Sequence, residues 1–180
     1  MYIDNSARLS YQLIDEKDSE FLFRLDQDPE VMRYINGGKM TSRADISAIS
    51  IPRLNKYKNV AKGWGLWKVT VLTTEQDIGW ILVRPMDFFS EQPRWHDIEL
   101  GWRFFQVTWG KGYASEAAIH IQQALAKSPE NKIFSAVAMP DNKGSIAVMK
   151  KMGMEFVKFY THADSQFGDT SAALYRMEHS

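Results

Sequence analysis

The sequence predicts an α+β, or mixed α/β, fold in which helices pack on a central sheet. Three observations carry this prediction. The strands predicted before residue 106 are mostly antiparallel, with short helices after the first of them, and the later part alternates strand, helix, strand, helix and strand. No internal repeat and no linker rich in proline, glycine or serine divides the 180 residues. We therefore expect one domain over residues 1–180, large enough to bury a core without disulfides.

The first elements are a strand and two short helices. Apolar side chains alternate over residues 9–13, which indicates a half-buried strand. The first helix is expected to begin at Asp18 or Ser19. The second begins at Asp28-Pro29-Glu30, which supplies an N-cap, a proline suited to the first helical position and a favourable first-turn acid.

A third helix should open at Thr41 or Ser42, and Pro52 should kink or end it. The remaining elements are strands over residues 64–72, 78–83, 98–105, 133–139, 156–160 and 172–177, and helices over residues 113–127 and 143–152. Residues 85–96 are rich in aromatic side chains and contain two prolines, so we expect a long loop there.

Composition excludes several classes of function. Lys and Arg number 22, Asp and Glu number 22, and cysteine is absent, which excludes a disulfide framework, a thiolate metal site and a cysteine nucleophile. Zero net charge argues against direct nucleic-acid binding. The N-terminus lacks a leader pattern and no apolar run approaches the roughly 18 residues of a membrane span, so we expect a soluble, cytoplasmic protein without a membrane partner.

Charge is uneven along the chain. Residues 101–160 carry eight basic and four acidic side chains, which suits an anionic ligand. Residues 71–100 carry two basic and six acidic side chains, which would suit a cationic acceptor. No cluster of side chains has metal-ligand spacing, so no metal site is expected.

The most informative motif is the predicted strand-to-helix turn Trp109-Gly110-Lys111-Gly112-Tyr113-Ala114. Glycine lets backbone N–H groups approach a ligand closely, and a helix N-terminus adds partial positive charge, so the turn suits a diphosphate. An ordinary glycine-rich turn has the same pattern. The Walker motif is absent, and Ser115 stands where a dinucleotide-binding motif has its last glycine.

This turn resembles the acetyl-coenzyme A motif of the GCN5-related N-acetyltransferase (GNAT) superfamily. Trp109 departs from the usual Gln or Arg but resembles the branch of ribosomal-protein N-terminal acetyltransferases (RimJ/RimL type). The resemblance covers nearly the whole chain. Its further motifs are Ala7-Arg8-Leu9, residues 28–34, Ile78-Gly79-Trp80, Glu99-Leu100-Gly101-Trp102, Asn142-Lys143-Gly144-Ser145 and Lys151-Met152-Gly153-Met154.

The resemblance implies a GNAT-like fold, with a mostly antiparallel twisted sheet that splays at the coenzyme site and helices on both faces. Acetyl-CoA would lie between the strand ending near Phe105 and the strand at residues 133–139. Pantetheine would pair with backbone groups at Phe104 and Phe105, and the diphosphate would sit on the turn amides. The cofactor-binding residues expected on this basis are Phe104, Phe105, Trp109, Gly110, Lys111, Gly112, Tyr113, Ala114, Asn142 and Ser145.

The resemblance also implies direct acetyl transfer to a primary amine in a ternary complex. Such an amine must lose a proton, and Glu99 is the expected base, although a solvated strand glutamate would give the same pattern. Many superfamily members use a tyrosine as the general acid at the position where this chain has Met149. The resemblance offers Ser145 as the catalytic acid instead. A serine that only binds the coenzyme fits the same position equally well, and the thiolate could also leave without an acid.

The expected acceptor is a ribosomal or other protein N-terminus. A polyamine, an amino sugar or another small amine is the alternative, and so is a non-catalytic acetyl-CoA-binding module. Trp64, Trp67 and Trp95, with Phe88 and Phe89, are candidates for the acceptor pocket, whereas Trp80 and Trp102 are expected in the core. His96 is an alternative base. The chain is expected to be a monomer or a homodimer.

Overall fold

A computed structural model of the chain describes residues 1–162 and 169–179. Its strands are β1 Leu9–Leu13, β2 Gly65–Val71, β3 Asp77–Met86, β4 Arg94–Phe104, β5 Ile133–Ala138, β6 Glu155–His162 and β7 Thr170–Glu178. Its helices are α1 Ser19–Leu25, α2 Pro29–Asn36, α3 Arg43–Asp45, α4 Ile51–Tyr57, α5 Tyr113–Ala126 and α6 Lys143–Lys151. A π-helical stretch, Ile46–Ser50, joins α3 to α4.

The strands form one sheet in the order β1-β2-β3-β4-β5-β7-β6. Neighbours pair antiparallel except β4 and β5, which pair in parallel. That parallel pairing runs only from Asp97 opposite Ile133 to Glu99 opposite Ser135. Beyond it, β4 continues to Phe104 while β5 continues against β7, so the sheet opens at this point. The predicted splay is confirmed.

Helices cover both faces of the sheet, as predicted. On one face, Ile98 and Leu100 of β4 pack in a buried cluster with Ala118 and Ile121 of α5. On the other face, a second cluster joins α1 and α4 to Leu66 of β2. Because neighbouring side chains of a strand point to opposite faces, Glu99 and Arg103 lie on the α1 and α4 face.

Several predicted helix boundaries are confirmed. Asp28 accepts a hydrogen bond from the Glu30 N–H as the N-cap of α2, and Ser42 accepts one from the Asp45 N–H as the N-cap of α3. Pro52 does not end the helical segment, which continues to Tyr57, so that part of its prediction needs a correction. The wider π-helical stretch directly before α4 accommodates the proline, which lacks an N–H and would clash within a regular α-helix.

The aromatic loop is shorter than predicted. Strand β3 extends to Met86 and β4 begins at Arg94, so the loop spans only residues 87–93. Pro85 lies inside β3, but the pairing of β3 with β2 stops at Val83, so the missing proline N–H breaks no ladder there. None of the helices in the described ranges is long and apolar enough to span a bilayer.

Candidate functional site

The turn between β4 and α5 exposes its backbone. Gly110 and Gly112 have φ angles of 74° and 79°, in the left-handed region that favours glycine. A Cβ at Gly110 would meet no atom within 4 Å, so the backbone there is open to a ligand. Within the described residues, α5 has no side-chain cap, and its first N–H groups are left for an external partner. This is the geometry of an anion site.

Arg8 of the N-terminal segment holds this turn in place. Its Nε donates to Oε2 of Glu116 at 2.6 Å and its Nη1 to the carbonyl oxygen of Lys111 at 3.0 Å. The guanidinium carbon lies 4.5 Å from the ring centre of Tyr113. Burial acts to raise the pKa of Glu116, but hydrogen bonds from Ser6 and Arg8 outweigh it and lower that pKa below its ordinary value.

A cavity of about 660 Å³ extends from this turn along the opening of the sheet. It is bounded by α2, the end of β4, the turn and the start of α6. Of the predicted cofactor-binding residues, its lining includes Phe104, Trp109, Gly110, Ala114, Asn142 and Ser145. Lys111, Gly112 and Tyr113 belong to the same turn but do not line the cavity. The predicted residues are thus largely brought together.

The backbone of β4 presents Phe104, not Phe105, to the opening. The Phe105 N–H donates to the Ile78 oxygen at 3.0 Å, and the Phe105 oxygen accepts from both the N–H and the hydroxyl of Thr108. Backbone groups alternate in direction along a strand, so those of Trp102 and Phe104 point away from β3, toward the opening. The prediction of backbone pairing at Phe105 therefore finds both of its groups already used within the chain.

Part of the Phe104 backbone is also used. The Trp109 indole Nε1 donates to the Phe104 oxygen at 2.9 Å and so ties the turn to the end of β4.

Asn142 and Ser145 form a capping pair beside β4. Asn142 is the N-cap of α6, and its Oδ1 accepts from the Ser145 N–H at 3.1 Å. The Ser145 hydroxyl oxygen accepts a hydrogen bond from the Trp102 indole Nε1 at 3.1 Å. Because the oxygen is the acceptor in that bond, its own proton is available for another acceptor. Met149 is buried in the core at 1% exposure and cannot donate a proton.

Glu99 is a buried, ion-paired carboxylate. Its Oε2 lies 2.7 Å from the Nε of Arg84, and the two side chains are 10% and 11% exposed. This contradicts the alternative of a solvated strand glutamate. The pair lies in the last rung before β4 parts from β5, where Arg84 faces Glu99 and Glu99 faces Ser135. Glu99 does not line the large cavity, which lies beyond that rung.

Two tyrosines contribute to the electrostatics around Glu99. Burial raises the pKa of Tyr57 to about 12, with Arg84 opposing and Glu99 adding to the shift. Burial, Glu99 and Asp87 together raise the pKa of Tyr160 to about 12. Both phenols are therefore protonated at neutral pH. Neither tyrosine was among the residues predicted from sequence, because each reaches this region from a distant segment of the chain.

A second cavity, of about 190 Å³, lies on the Glu99 face between the sheet and helices α1 and α4. Trp80 and Arg84 of β3 line it, together with Tyr57 of α4. Arg103 lines both cavities. The small cavity thus adjoins the partner of Glu99 and the opening of the sheet.

The predicted roles of the tryptophans need correction. Trp64 and Trp67 are buried in the core rather than in an acceptor pocket, and Trp95 is exposed and stacks on Trp64. Trp80 and Trp102 pack against the buried clusters, as expected, and they also line the small and the large cavity, respectively. These two side chains point to opposite faces next to the opening, where the covering helices leave space.

Two further expectations are not supported. His96 is exposed, lines neither cavity, and has its Nδ1 3.3 Å from the Glu130 oxygen. The acidic excess of residues 71–100 does not form an acidic surface for a cation, because most of its carboxylates pair with basic side chains. These pairs are Asp77 with Lys68, Asp87 with Arg94, Asp97 with Arg94 and Arg176, and Glu99 with Arg84.

Within the described ranges, no group of three or more His, Cys, Asp and Glu side chains is arranged to hold a metal ion.

Comparisons with known proteins agree with this geometry. Residues 8–155 match the family described as "Acetyltransferase (GNAT) domain". The uncharacterized N-acetyltransferase YnaD of Bacillus subtilis (strain 168) is 32% identical over 157 residues, which are 86% of this chain and 84% of the relative.

Two solved structures extend the comparison. An acetyltransferase (GNAT family) from Bacillus anthracis has a TM-score of 0.76 at 25% identity, over 99% of this chain and 98% of that one. RimL, a ribosomal alpha-N-protein acetyltransferase in complex with coenzyme A, has a TM-score of 0.75 at 13% identity, over 99% of this chain and 98% of that one. At 13% identity the likeness to RimL is one of fold.

Proposed function

The chain belongs to the acetyltransferase (GNAT) family and is an acetyl-CoA-dependent acyltransferase, and we propose that it acetylates a primary amine by direct transfer in a ternary complex. In the reaction the amine nitrogen bonds to the acetyl carbonyl carbon, and the carbon–sulfur bond breaks. One proton must leave the amine, and the thiolate must be stabilised or protonated. Glu99 and Ser145 are the side chains proposed for these two steps.

Acetyl-CoA supplies the activated acetyl thioester, and the large cavity provides groups that fit it. The uncapped N-terminus of α5 and the open backbone at Gly110 suit the diphosphate. The unpaired edge of β4 at Trp102 and Phe104 suits the amide groups of pantetheine. Asn142 keeps its side-chain NH₂ for the same arm, because only its oxygen serves as the cap.

Glu99 is the proposed base, and its position at the last rung before the opening is the observation that supports this most directly. Since β4 is no longer paired with β5 beyond Glu99, an amine on the Glu99 face could reach the thioester past this free edge of the strand. The positive charge of the incoming ammonium takes over part of the interaction that Arg84 makes with the Glu99 carboxylate. The ammonium proton then passes to that carboxylate, directly or through one water.

Ser145 is the proposed donor to the departing thiolate. Its hydroxyl oxygen is fixed by the Trp102 indole, and its proton is free to point into the large cavity that both residues line. A serine that only binds the coenzyme requires the same position, so kinetics must separate the two roles.

A protein N-terminus is the proposed acceptor, and a cytoplasmic location goes with it. The support is the shared fold of RimL, a ribosomal alpha-N-protein acetyltransferase, and a large cavity that α2 borders. A small amine is the second candidate, favoured by the limited volume of about 190 Å³ on the Glu99 face.

A screen of thiol release tests these proposals. Purified protein is incubated with acetyl-CoA and either peptides with free N-termini, polyamines or amino sugars. We expect the highest kcat/KM for a peptide. A polyamine or amino sugar as the best acceptor would replace the proposed acceptor, and no release with any amine would contradict the proposed transfer.

A further inference from the structure

Trp109, the residue that departs from the usual acetyl-coenzyme A motif, stands at the open edge of β4. Its indole Nε1 donates a hydrogen bond to the Phe104 oxygen at 2.9 Å. Trp109 also lines the large cavity, together with Phe104 and Gly110. The indole therefore lies in the space proposed for the coenzyme.

The Phe104 oxygen belongs to the edge of β4 from which β5 has separated. The Phe105 N–H donates to the Ile78 oxygen of β3, so the backbone groups of Phe104, one residue earlier, point away from β3. On that side, β4 pairs with β5 only as far as Glu99. Within the described part of the chain, the Phe104 oxygen thus meets the Trp109 indole where a neighbouring strand would otherwise lie.

Among the described residues, one hydrogen bond holds the Trp109 side chain in this position. Trp109 is 47% exposed and belongs to neither of the two buried clusters. Trp102, which lines the same cavity, differs because it packs against a buried cluster and donates to Ser145. A hydrogen bond that water can replace contributes little net stability. The Trp109 indole can therefore turn away from the Phe104 oxygen at a small cost.

The indole and a paired pantetheine arm need the same edge. The N–H of a paired chain would stand about 2.9 Å from the Phe104 oxygen, which is where the indole Nε1 stands. The chain itself would run roughly 4.8 Å from β4. The oxygen has a second lone pair, but the indole ring takes up space on the side from which an extended chain would approach.

We propose that Trp109 is a placeholder for the pantetheine arm. In the free protein its indole N–H occupies the Phe104 oxygen, and it leaves when an amide N–H of pantetheine binds there. One hydrogen bond is exchanged for another, and no covalent bond changes. The proposal rests on the proposed coenzyme site. It makes Trp109 an opponent of the arm of the coenzyme, and not of its nucleotide.

The first test is the affinity for coenzyme A, measured by calorimetry. Trp109→Phe keeps an aromatic ring but removes the N–H donor. We expect its affinity to rise about 3- to 10-fold, which is the effect of removing one competing hydrogen bond. A Trp109 that binds the coenzyme predicts the opposite sign. Trp95→Phe changes an exposed tryptophan that lines neither cavity, and this matched control should bind as the wild type does.

A fragment of the coenzyme separates the arm from the nucleotide. 3′-Phosphoadenosine 5′-diphosphate carries the nucleotide and the diphosphate but has no pantetheine. Wild type and Trp109→Phe should bind this fragment equally, because it brings no amide to compete with the indole. A general loosening of the turn would instead change the affinities for fragment and coenzyme alike.

The second test follows the indole N–H itself by hydrogen exchange and NMR. The Trp109 signal is the one that Trp109→Phe lacks, and Trp67, whose buried Nε1 donates to the Gly63 oxygen at 2.8 Å, is the internal reference. We expect exchange of the Trp109 N–H to become about 3- to 10-fold faster when coenzyme A saturates the protein, and to stay unchanged with the fragment. The factor equals that of the first test because both measure how strongly the indole holds the oxygen.

An unchanged or lower affinity of Trp109→Phe for coenzyme A would overturn the proposal. So would an equal gain for coenzyme and fragment, or an indole N–H that exchanges as slowly in the complex as in the free protein. Release of the indole by coenzyme A without turnover of any amine would support the proposal and count only against the proposed acetyl transfer.

Discussion

Arg84 Nε and Glu99 Oε2 lie 2.7 Å apart in the last rung that β4 shares with both of its neighbours. One residue further along, β4 loses its contact with β5 and the sheet opens. The proposed base is thus held by a guanidinium at the edge of the opening. A side chain that is 10% exposed thus has an oppositely charged partner within the chain.

Breaking this pair from one side should destabilise the fold. Arg84→Met leaves the Glu99 carboxylate buried without its guanidinium, which typically costs about 3–5 kcal/mol for a buried pair. Adding Glu99→Gln should recover part of that loss, because the charge that needed a partner is gone. Urea unfolding of the two single variants and the double variant measures the coupling. Additive losses would show that the two side chains do not act as a pair.

Substitution of Gly110 should weaken coenzyme binding more than it destabilises the fold. Gly110→Ala adds a Cβ into open space at a φ of 74°, so its cost in stability is backbone strain of roughly 1 kcal/mol. The same Cβ would lie in the proposed diphosphate site, and we expect coenzyme affinity to fall at least about 10-fold.

Gly153→Ala is the matched control for that strain. Gly153 also has a left-handed φ, of 85°, and also has open space at its Cβ, but it lies after α6, away from the turn. Calorimetry with coenzyme A should find normal affinity in this variant. Equal coenzyme A affinities of Gly110→Ala and Gly153→Ala would contradict the proposal that the diphosphate binds at Gly110.

Ser145→Ala separates proton donation from coenzyme binding. If the hydroxyl protonates the thiolate, kcat should fall by about 10- to 100-fold at an unchanged KM for acetyl-CoA. Trp102→Phe, which removes the indole that holds the hydroxyl, should lower kcat less. A raised KM for acetyl-CoA with normal kcat would instead assign Ser145 to binding.

The contacts of Glu116 predict a pH dependence of stability. Hydrogen bonds from Ser6 and Arg8 keep the pKa of Glu116 below its ordinary value in the folded state, so the ionised form stabilises the fold. That contribution is present above the unfolded pKa, near 4.5, and is lost as the pH falls through the lower folded value. Urea unfolding of wild type and Glu116→Gln should differ at pH 7 and converge in acid. A difference that stays constant from pH 7 to about pH 3 would contradict this assignment.

Local sequence patterns predict the conformation of the turn before α5 well. The turn around Gly110 and Gly112 is contiguous, and its left-handed glycines and helix start follow from residue type. The splay of the sheet followed from the family resemblance and is present as expected. The prediction that the Phe105 backbone pairs with pantetheine is wrong, because the direction of a backbone group depends on the register of the strand. A shift of one residue turns the N–H and C=O groups to the opposite edge.

The acceptor side was less predictable because its contacts join distant segments. Arg103 pairs with Asp26, which is 77 positions away in the chain. Nothing in the neighbouring sequence indicates such partners. The core positions predicted for Trp80 and Trp102 are found, but the cavities beside these side chains depend on how the helices pack and do not follow from the strand pattern.

The central claim is that acetyl transfer depends on the Glu99 carboxylate, and the kcat/KM of Glu99→Gln toward the best peptide acceptor tests it most directly. Glu20→Gln, in an exposed ion pair, is the control, and coenzyme A affinity is measured in parallel. We expect Glu99→Gln to lose about 10²- to 10⁴-fold in kcat/KM at normal coenzyme affinity, and Glu20→Gln to lose nothing. Full activity of Glu99→Gln would contradict the account.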